Sequence, residues 1–263
     1  MGAGHAAAVH GSLYRPGDSP VHTLPAQCKV VSACGFMLVV AATPATPPWA
    51  FACHAALLAA VTAVARLPAG TVLRRLAIEL PFVAFALLLP FVARGPRVDV
   101  LGLPLSESGL RDAGTLLAKG TLGVAASVLL ASTTGLRDLL LGLRRLRVPA
   151  LLVQIAAFMI RYGDVVADEM RRMRVARESR GHTARGVRHW RVLAASAGAL
   201  FIRAYERGER VHLAMVSRGY TGTLPETGGV TGAAGASRAQ WACAAVLPLA
   251  ALAVRLTTEG VPL

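Results

Sequence analysis

The apolar residues of this chain arrive in long blocks, not in the spaced stripes of a soluble helix. Residues 30–43 are apolar and stop at Pro44. Residues 49–65 form a second block, broken only by His54 and Thr62. Residues 76–93 are a third, carrying Glu79, Pro81 and Pro90. Residues 113–133 are a fourth, with one Lys119, and residues 239–256 are a last, with Pro248 inside and Arg255 near the end. A spanning helix needs about 20 mostly apolar residues. The second to fifth blocks reach that length alone or with their flanks, and the first does so by borrowing residues from about 26 to 46. The third and fourth show no polar stripe, which argues against a soluble helical protein, whose helices are amphipathic. Residues 148–160 are apolar but shorter, and predict an interfacial or buried helix. The pattern predicts an all-α integral membrane protein with about five transmembrane helices and long cytoplasmic amphipathic helices.

Charge orients the spans, because basic loops stay in the cytoplasm. The link 43–48 is uncharged and suits the outside. The next link has Arg66, Arg74 and Arg75 and suits the inside. In 94–112, Arg94, Arg97 and Arg111 are balanced by Asp99, Glu107 and Asp112, which suits the outside. Arg137, Arg144, Arg145 and Arg147 against Asp138 suit the inside again. The alternation gives a cytoplasmic N-terminus, provided that residues 148–160 do not cross. The expected division is a tail at 1–26, a four-helix membrane region at 27–134, a cytoplasmic region at 135–225, a Gly-rich linker at 226–238 and a last span at 239–263. The first 25 residues contain His5, His10, Arg15, Asp18 and His22 and no apolar run, so no cleaved signal peptide is expected there.

Composition agrees with the membrane reading. Hydrophobic residues make up 54% of the 263, and charged residues only 16%, against roughly 25% in a soluble domain. The formal net charge of +14 would fit a nucleic-acid footprint. Aromatic residues are only 5%, no nucleic-acid motif is present, and several arginines flank spans, where they set topology and meet anionic lipid. Nucleic acid is therefore not expected as a partner, and the lipid bilayer is.

The basic segment 161–220 holds thirteen Arg, six Asp or Glu and no Lys, a local net of +7. It also repeats itself. DEMRRMRVARESRGH (168–182) and ERGERVHLAMVSRGY (206–220) superpose on a shift of 38 residues, Arg172 on Arg210 and Ser179-Arg180-Gly181 on Ser217-Arg218-Gly219. Each copy predicts an amphipathic helix that ends at a glycine, because Gly tolerates the left-handed C-cap conformation. Arg180 and Arg218 in the last turns complement the helix dipoles. Helix capping explains one Arg-Gly ending; two at matched positions predict a docking role. A guanidinium meeting a carboxylate in a partner's groove is a directional, charge-assisted contact.

These residues resemble the transmembrane T component of energy-coupling factor transporters, of the cobalt-transport, CbiQ-like type, over about residues 18–225. DSPVHTLPAQCKV (18–30), IELPFVAFALLLPF (78–91) and LRRLRVPALLV (143–153) look like family segments. The most specific likeness is the double ending, which in the family reads Ala-Arg-Gly at the ends of two coupling helices. Both copies here carry Ser in place of Ala, and the literal Ala-Arg-Gly at 184–186 falls in the loop after the first helix. The resemblance implies a non-catalytic subunit of the bacterial plasma membrane that couples two ATP-binding-cassette ATPases to a substrate-binding S component. Cobalt is the implied substrate, with nickel or a vitamin as alternatives. It implies ATPase contacts at Ser179, Arg180, Gly181, Ser217, Arg218 and Gly219, with no catalytic, cofactor or metal residues.

Other chemistry is weaker. No GxxxxGK[ST] or GxGxxG phosphate loop is present. Cys28, Cys34, Cys53 and Cys243 show no CxxC and read as packed thiols. His54, inside a span, predicts a hydrogen-bonded structural role. Glu79 and Lys119 are candidates for an ion pair. The alternative function is a membrane enzyme with a cytoplasmic-face site from Asp164, Asp168, Glu169, His182 and His189. Neighbouring arginines already account for the carboxylates as intrahelical partners, and the second repeat keeps no comparable cluster.

Overall fold

The computed structural model describes residues 14–45, 47–68, 70, 79–93, 96–100, 103–181, 187–222 and 236–259; of residues 98–100, 103–105, 187–189 and 259 it describes the backbone only. The elements are α1 (Pro20–Thr23), α2 (Ala26–Ala42), α3 (Trp49–Val64), α4 (Leu80–Val92), β1 (Arg97–Val100), β2 (Leu103–Ser106), α5 (Glu107–Thr133), α6 (Leu136–Arg145), α7 (Ala150–Ser179), α8 (Val187–Val216) and α9 (Arg238–Glu259). Two compact units form. One comprises the described residues of Gly11–Leu146 with those of Ala234–Leu263, and the other those of Arg147–Ala233.

The first unit is a helical bundle with α2 near its centre. α2 packs against α5, α6 and α9, while α3 packs against α5 and α9, and α4 against α5. Their shared core contains Phe36 and Val40 of α2, Phe51 and Leu58 of α3, Leu122, Ala126 and Leu129 of α5, and Ala251 of α9. By contrast, Leu80, Phe82, Phe85, Leu87, Leu88 and Phe91 of α4 are all exposed. A helix apolar on every side, with its large side chains uncovered, is suited to lipid.

The five expected blocks each form a helix. α5 and α9 are long and apolar enough to cross a membrane, as is α7; α2, α3 and α4 are shorter apolar helices. α5 begins before its apolar block because Ser106 caps it, the Ser106 Oγ accepting from the Gly109 amide at 3.4 Å. The link 94–112 contains the antiparallel ribbon β1–β2, with Arg97 opposite Ser106. Two helices end in the same way. Arg66 follows α3 and Arg147 follows α6, both with positive φ (54° and 62°), and each stands two residues before a proline.

Residues 148–160 do not form a separate short helix. They enter α7, which runs unbroken for 30 residues from the apolar stretch into the basic one. Arg161 does not stop it, because Arg is a good helix former. α6 packs on α2 in the bundle, so the boundary between the two compact units falls at 146/147.

Buried donors in the bundle, His54 and Lys29 among them, turn to backbone carbonyls. His54 is fully buried between Phe36, edge-on with ring centroids 6.1 Å apart, and α9, where its Nε2 donates to the Ala251 carbonyl at 3.2 Å. Its structural role is the expected one. The expected Glu79–Lys119 pair does not form: Glu79 Oε2 accepts from Thr121 Oγ1 at 3.0 Å, and Lys119 Nζ donates to the Ala41 carbonyl at 2.8 Å. Residues two apart on a helix face different directions, so α5 turns Thr121 and not Lys119 toward Glu79. The chain has two lysines, and the second behaves like the first. Buried Lys29 donates to the Thr133 carbonyl at 2.8 Å and to the His22 carbonyl at 3.1 Å. Ala41 and Thr133 lie in the last turns of α2 and α5, where carbonyls lack intrahelical partners.

Two substitutions test this packing. A Cβ at Gly142 would lie 2.8 Å from the Gln27 amide nitrogen and 3.0 Å from the Ala26 carbonyl carbon. Gly142→Ala therefore forces α6 off α2, and a loss of about 1–3 kcal/mol is expected, read as a lower unfolding midpoint in detergent. Lys29→Met strips the Thr133 carbonyl of its donor, and about 1–3 kcal/mol is again expected.

Candidate functional site: a basic helical hairpin

α7 and α8 run antiparallel within the second unit. Arg203 Nη1 on α8 meets Glu169 Oε1 on α7 at 2.6 Å, and Gln154, in the second turn of α7, donates to the hydroxyl of Tyr220, just past α8. One partner number rises as the other falls, as an αα-hairpin requires. Short-range ion pairs line α7: Asp168 with Arg171, Glu169 with Arg172 at 3.0 Å, and Glu178 with Arg174 at 2.9 Å. On α8, Glu206 lies 3.9 Å from Arg210. They are i,i+3 and i,i+4 pairs of the kind expected from the sequence. Asp168 and Glu169 are thus engaged by arginines, and Asp164 also has an interaction partner. The side chains of His182 and His189 lie outside the described residues, as do residues 184–186.

The repeated Ser-Arg-Gly endings fold alike. Ser179 Oγ donates to the Ala176 carbonyl at 3.1 Å, and Ser217 Oγ to the Ala214 carbonyl at 3.0 Å. Gly181 has φ 74° and Gly219 φ 84°. The Gly181 amide donates to the Glu178 carbonyl at 3.0 Å, and the Gly219 amide to the Val216 carbonyl at 2.9 Å. In the second copy the Tyr220 amide closes onto the Met215 carbonyl at 3.0 Å. The last two bonds form a Schellman motif with Gly219 at its left-handed position.

These caps place Arg180 and Arg218 as the last residue before each reversal. Both are exposed, and neither side chain has a hydrogen-bond or carboxylate partner among the described residues. A Cβ at Gly181 or Gly219 would meet nothing within 4 Å. Glycine is therefore required by the backbone turn and not by crowding inside the chain, and the surface beside each arginine is open. The hairpin puts the two endings at opposite ends of α7. Arg180 closes its C-terminal end, whereas Tyr220 holds the second ending beside Gln154; 26 residues of helix rise separate Gln154 from Arg180, roughly 39 Å.

With this geometry in view, comparison with known proteins is informative. The profile of the cobalt transport protein family, CbiQ, matches residues 17–227. The chain belongs to the CbiQ cobalt transport protein family. An energy-coupling factor transporter transmembrane protein, EcfT, of Thermanaerovibrio acidaminovorans is 30% identical over 81% of this chain and 84% of its own length. The cobalt transport protein CbiQ of Rhodobacter capsulatus is 35% identical over 47% of this chain and 50% of its own. An uncharacterised protein of Methanocaldococcus jannaschii is 33% identical over 49% and 48% respectively. The last two alignments cover about half of those relatives. The family match includes both Ser-Arg-Gly endings and the whole of the α7–α8 hairpin.

Sequence reasoning found both endings but not the hairpin's interior. The Arg203–Glu169 pair and the Gln154–Tyr220 bond join positions 34 and 66 residues apart, and no local spacing marks either. The caps make a local prediction. Gly181→Ala or Gly219→Ala puts a Cβ into a left-handed turn at a cost of about 1–2 kcal/mol. The expected result is faster amide hydrogen exchange confined to the last turn of α7 or α8 respectively.

Proposed function

We propose that this chain is the transmembrane coupling subunit of an energy-coupling factor importer, with cobalt or nickel as the transported ion. Family membership supports a transporter membrane component, and the relative named as an energy-coupling factor transmembrane protein matches over four-fifths of both chains. The observation that carries the mechanism is the pair of exposed, uncommitted arginine caps at opposite ends of one hairpin.

On this reading two ATP-binding-cassette ATPases sit on the cytoplasmic side, one receiving Arg180 and the other Arg218. Each guanidinium meets a carboxylate in a groove, and the neighbouring glycine lets the helix end approach the partner's backbone. Ser179 and Ser217 stand where the related motif has Ala; both are small, and both spend their hydroxyls on their own helix. ATP-driven closure of the ATPases then moves the hairpin, which passes the displacement to the bundle and to a separate substrate-binding S component. This subunit carries out no chemistry itself, and ion selectivity belongs to the S component. The charge pattern supports a cytoplasmic N-terminus and a cytoplasmic hairpin, and the family resemblance supports the bacterial plasma membrane, with 226–238 linking the hairpin to the last span.

The test is capture of the ATPases from detergent-solubilised membranes. Wild type and Ser179→Ala plus Ser217→Ala are expected to retain them. Arg180→Ala plus Arg218→Ala is expected to lose them, since removing one partner of a buried charge pair costs about 2–5 kcal/mol, more than tenfold in affinity. Absence of an ATPase with every protein, wild type included, would overturn the assignment.

A further inference from the structure

Between α7 and α8 lies a groove of about 890 Å³ that shares Arg180 with the docking reading and is otherwise unused by it. Five arginines line it: Arg172, Arg177 and Arg180 from α7, and Arg191 and Arg203 from α8. Glu169 is the one carboxylate in the lining. It is engaged by Arg172 at 3.0 Å and Arg203 at 2.6 Å, and its side chain is only 19% exposed. Arg177, Arg180 and Arg191 have no carboxylate partner among the described residues. The loop joining the helices supplies none either, for residues 182–186 read His-Thr-Ala-Arg-Gly. Ala176, Ala195, Ser196 and Ala199 also line it, and their small side chains leave space between the helices.

Such an arrangement is unfavourable by itself. Like charges share a concave site, and Glu169 offsets only part of them. A bound anion relieves the repulsion and is held by planar donor forks. Its chemistry follows from the number of forks. A carboxylate offers about four acceptor sites, enough for two arginine forks, as Glu169 shows with Arg172 and Arg203, whereas three uncommitted arginines need a ligand with more acceptor edges. A tetrahedral phosphate offers them. We infer that the groove between α7 and α8 is a binding site for a phosphate group, held by Arg177, Arg180 and Arg191 and tuned by Glu169.

A phospholipid headgroup and free phosphate share this chemistry, and the experiment separates them. The whole protein, purified in detergent and stripped of lipid, is titrated with inorganic phosphate, short-chain phosphatidylglycerol and short-chain phosphatidylcholine, with binding read by native mass spectrometry and calorimetry. Saturable binding of phosphate or of phosphatidylglycerol in wild type is expected. Whichever binds identifies the source, and phosphatidylglycerol without phosphate points to a lipid headgroup. Arg177→Gln plus Arg191→Gln is expected to weaken that binding at least tenfold, and the single Arg191→Gln several-fold. Glu169→Gln is expected to tighten it, because it frees Arg172 and Arg203. Arg218→Ala, at the other end of the hairpin, is expected to bind the anion like wild type while capturing less ATPase, so this site and the docking reading fail separately. Binding of neither anion by wild type would overturn the inference. So would equal affinity in the wild type and the Arg177/Arg191 double variant, or a Glu169→Gln variant that binds more weakly.

Discussion

A helix leaves its last four carbonyls without intrahelical partners, and in an apolar surrounding an unsatisfied carbonyl is expensive. How each helix satisfies its C-terminal end organises most of this molecule. At the ends of α2 and α5 the answer is lysine. The only two in the chain, Lys29 and Lys119, each donate to a last-turn carbonyl of a different helix, at Thr133 and Ala41. An ammonium there also meets the negative end of the helix dipole. On the basic hairpin the answer is glycine. Gly181 and Gly219 turn left-handed, and their own amides return to the helix.

The two answers leave different surfaces behind. A lysine cap consumes a charge and ties two elements together, which suits a scaffold. α2 is joined to the end of α5 by Lys29, and α5 is joined to the end of α2 by Lys119. Shape reinforces these ties where α6 crosses α2 at Gly142, which leaves no room for a side chain. A glycine cap consumes only backbone, so the arginine before it keeps its whole guanidinium for something else. The serine before each arginine does not compete either, since its hydroxyl is already bonded one turn back. The hairpin therefore ends in two free forks on ordered turns, and little entropy remains to be lost when a partner takes them.

Much of this was legible in the sequence, because it depends on local periodicity. Five apolar blocks correspond to five bundle helices, and the 38-residue repeat marks two similar glycine caps. What escaped was set by neighbours in space. Lys119 and Glu79 looked like an ion pair, but the rotation of α5 shows Glu79 a threonine. Residues 148–160 looked like a separate short helix because their composition changes at Arg161. Backbone propensity ignores that change, and α7 continues through it. The arginine-lined groove was invisible for a related reason: along α7 its residues read as a solvated, salt-bridged face, and only α8 opposite them adds Arg191 and Arg203.

The same pairing bears on how a hairpin transmits force. Two docking ends roughly 39 Å apart move as one body only if the helices between them do not slide. The groove between the helices is lined mainly by charged and small side chains, with Met173 and Val192 as its larger apolar members. Resistance to sliding therefore falls on polar links: Arg203 to Glu169 midway, and Gln154 to Tyr220 beside the second cap. Glu169 is the pivot of the first, since it holds Arg172 of its own helix and Arg203 of the other at once. An exposed ion pair alone contributes little, but this carboxylate is mostly covered and shared by two forks, which fixes register more firmly than a single pair. A phosphate bound beside it would add a second bridge, from Arg177 and Arg180 to Arg191. In that case the stiffness of the hairpin, and with it the coupling between its two ends, would depend on whether the groove is filled.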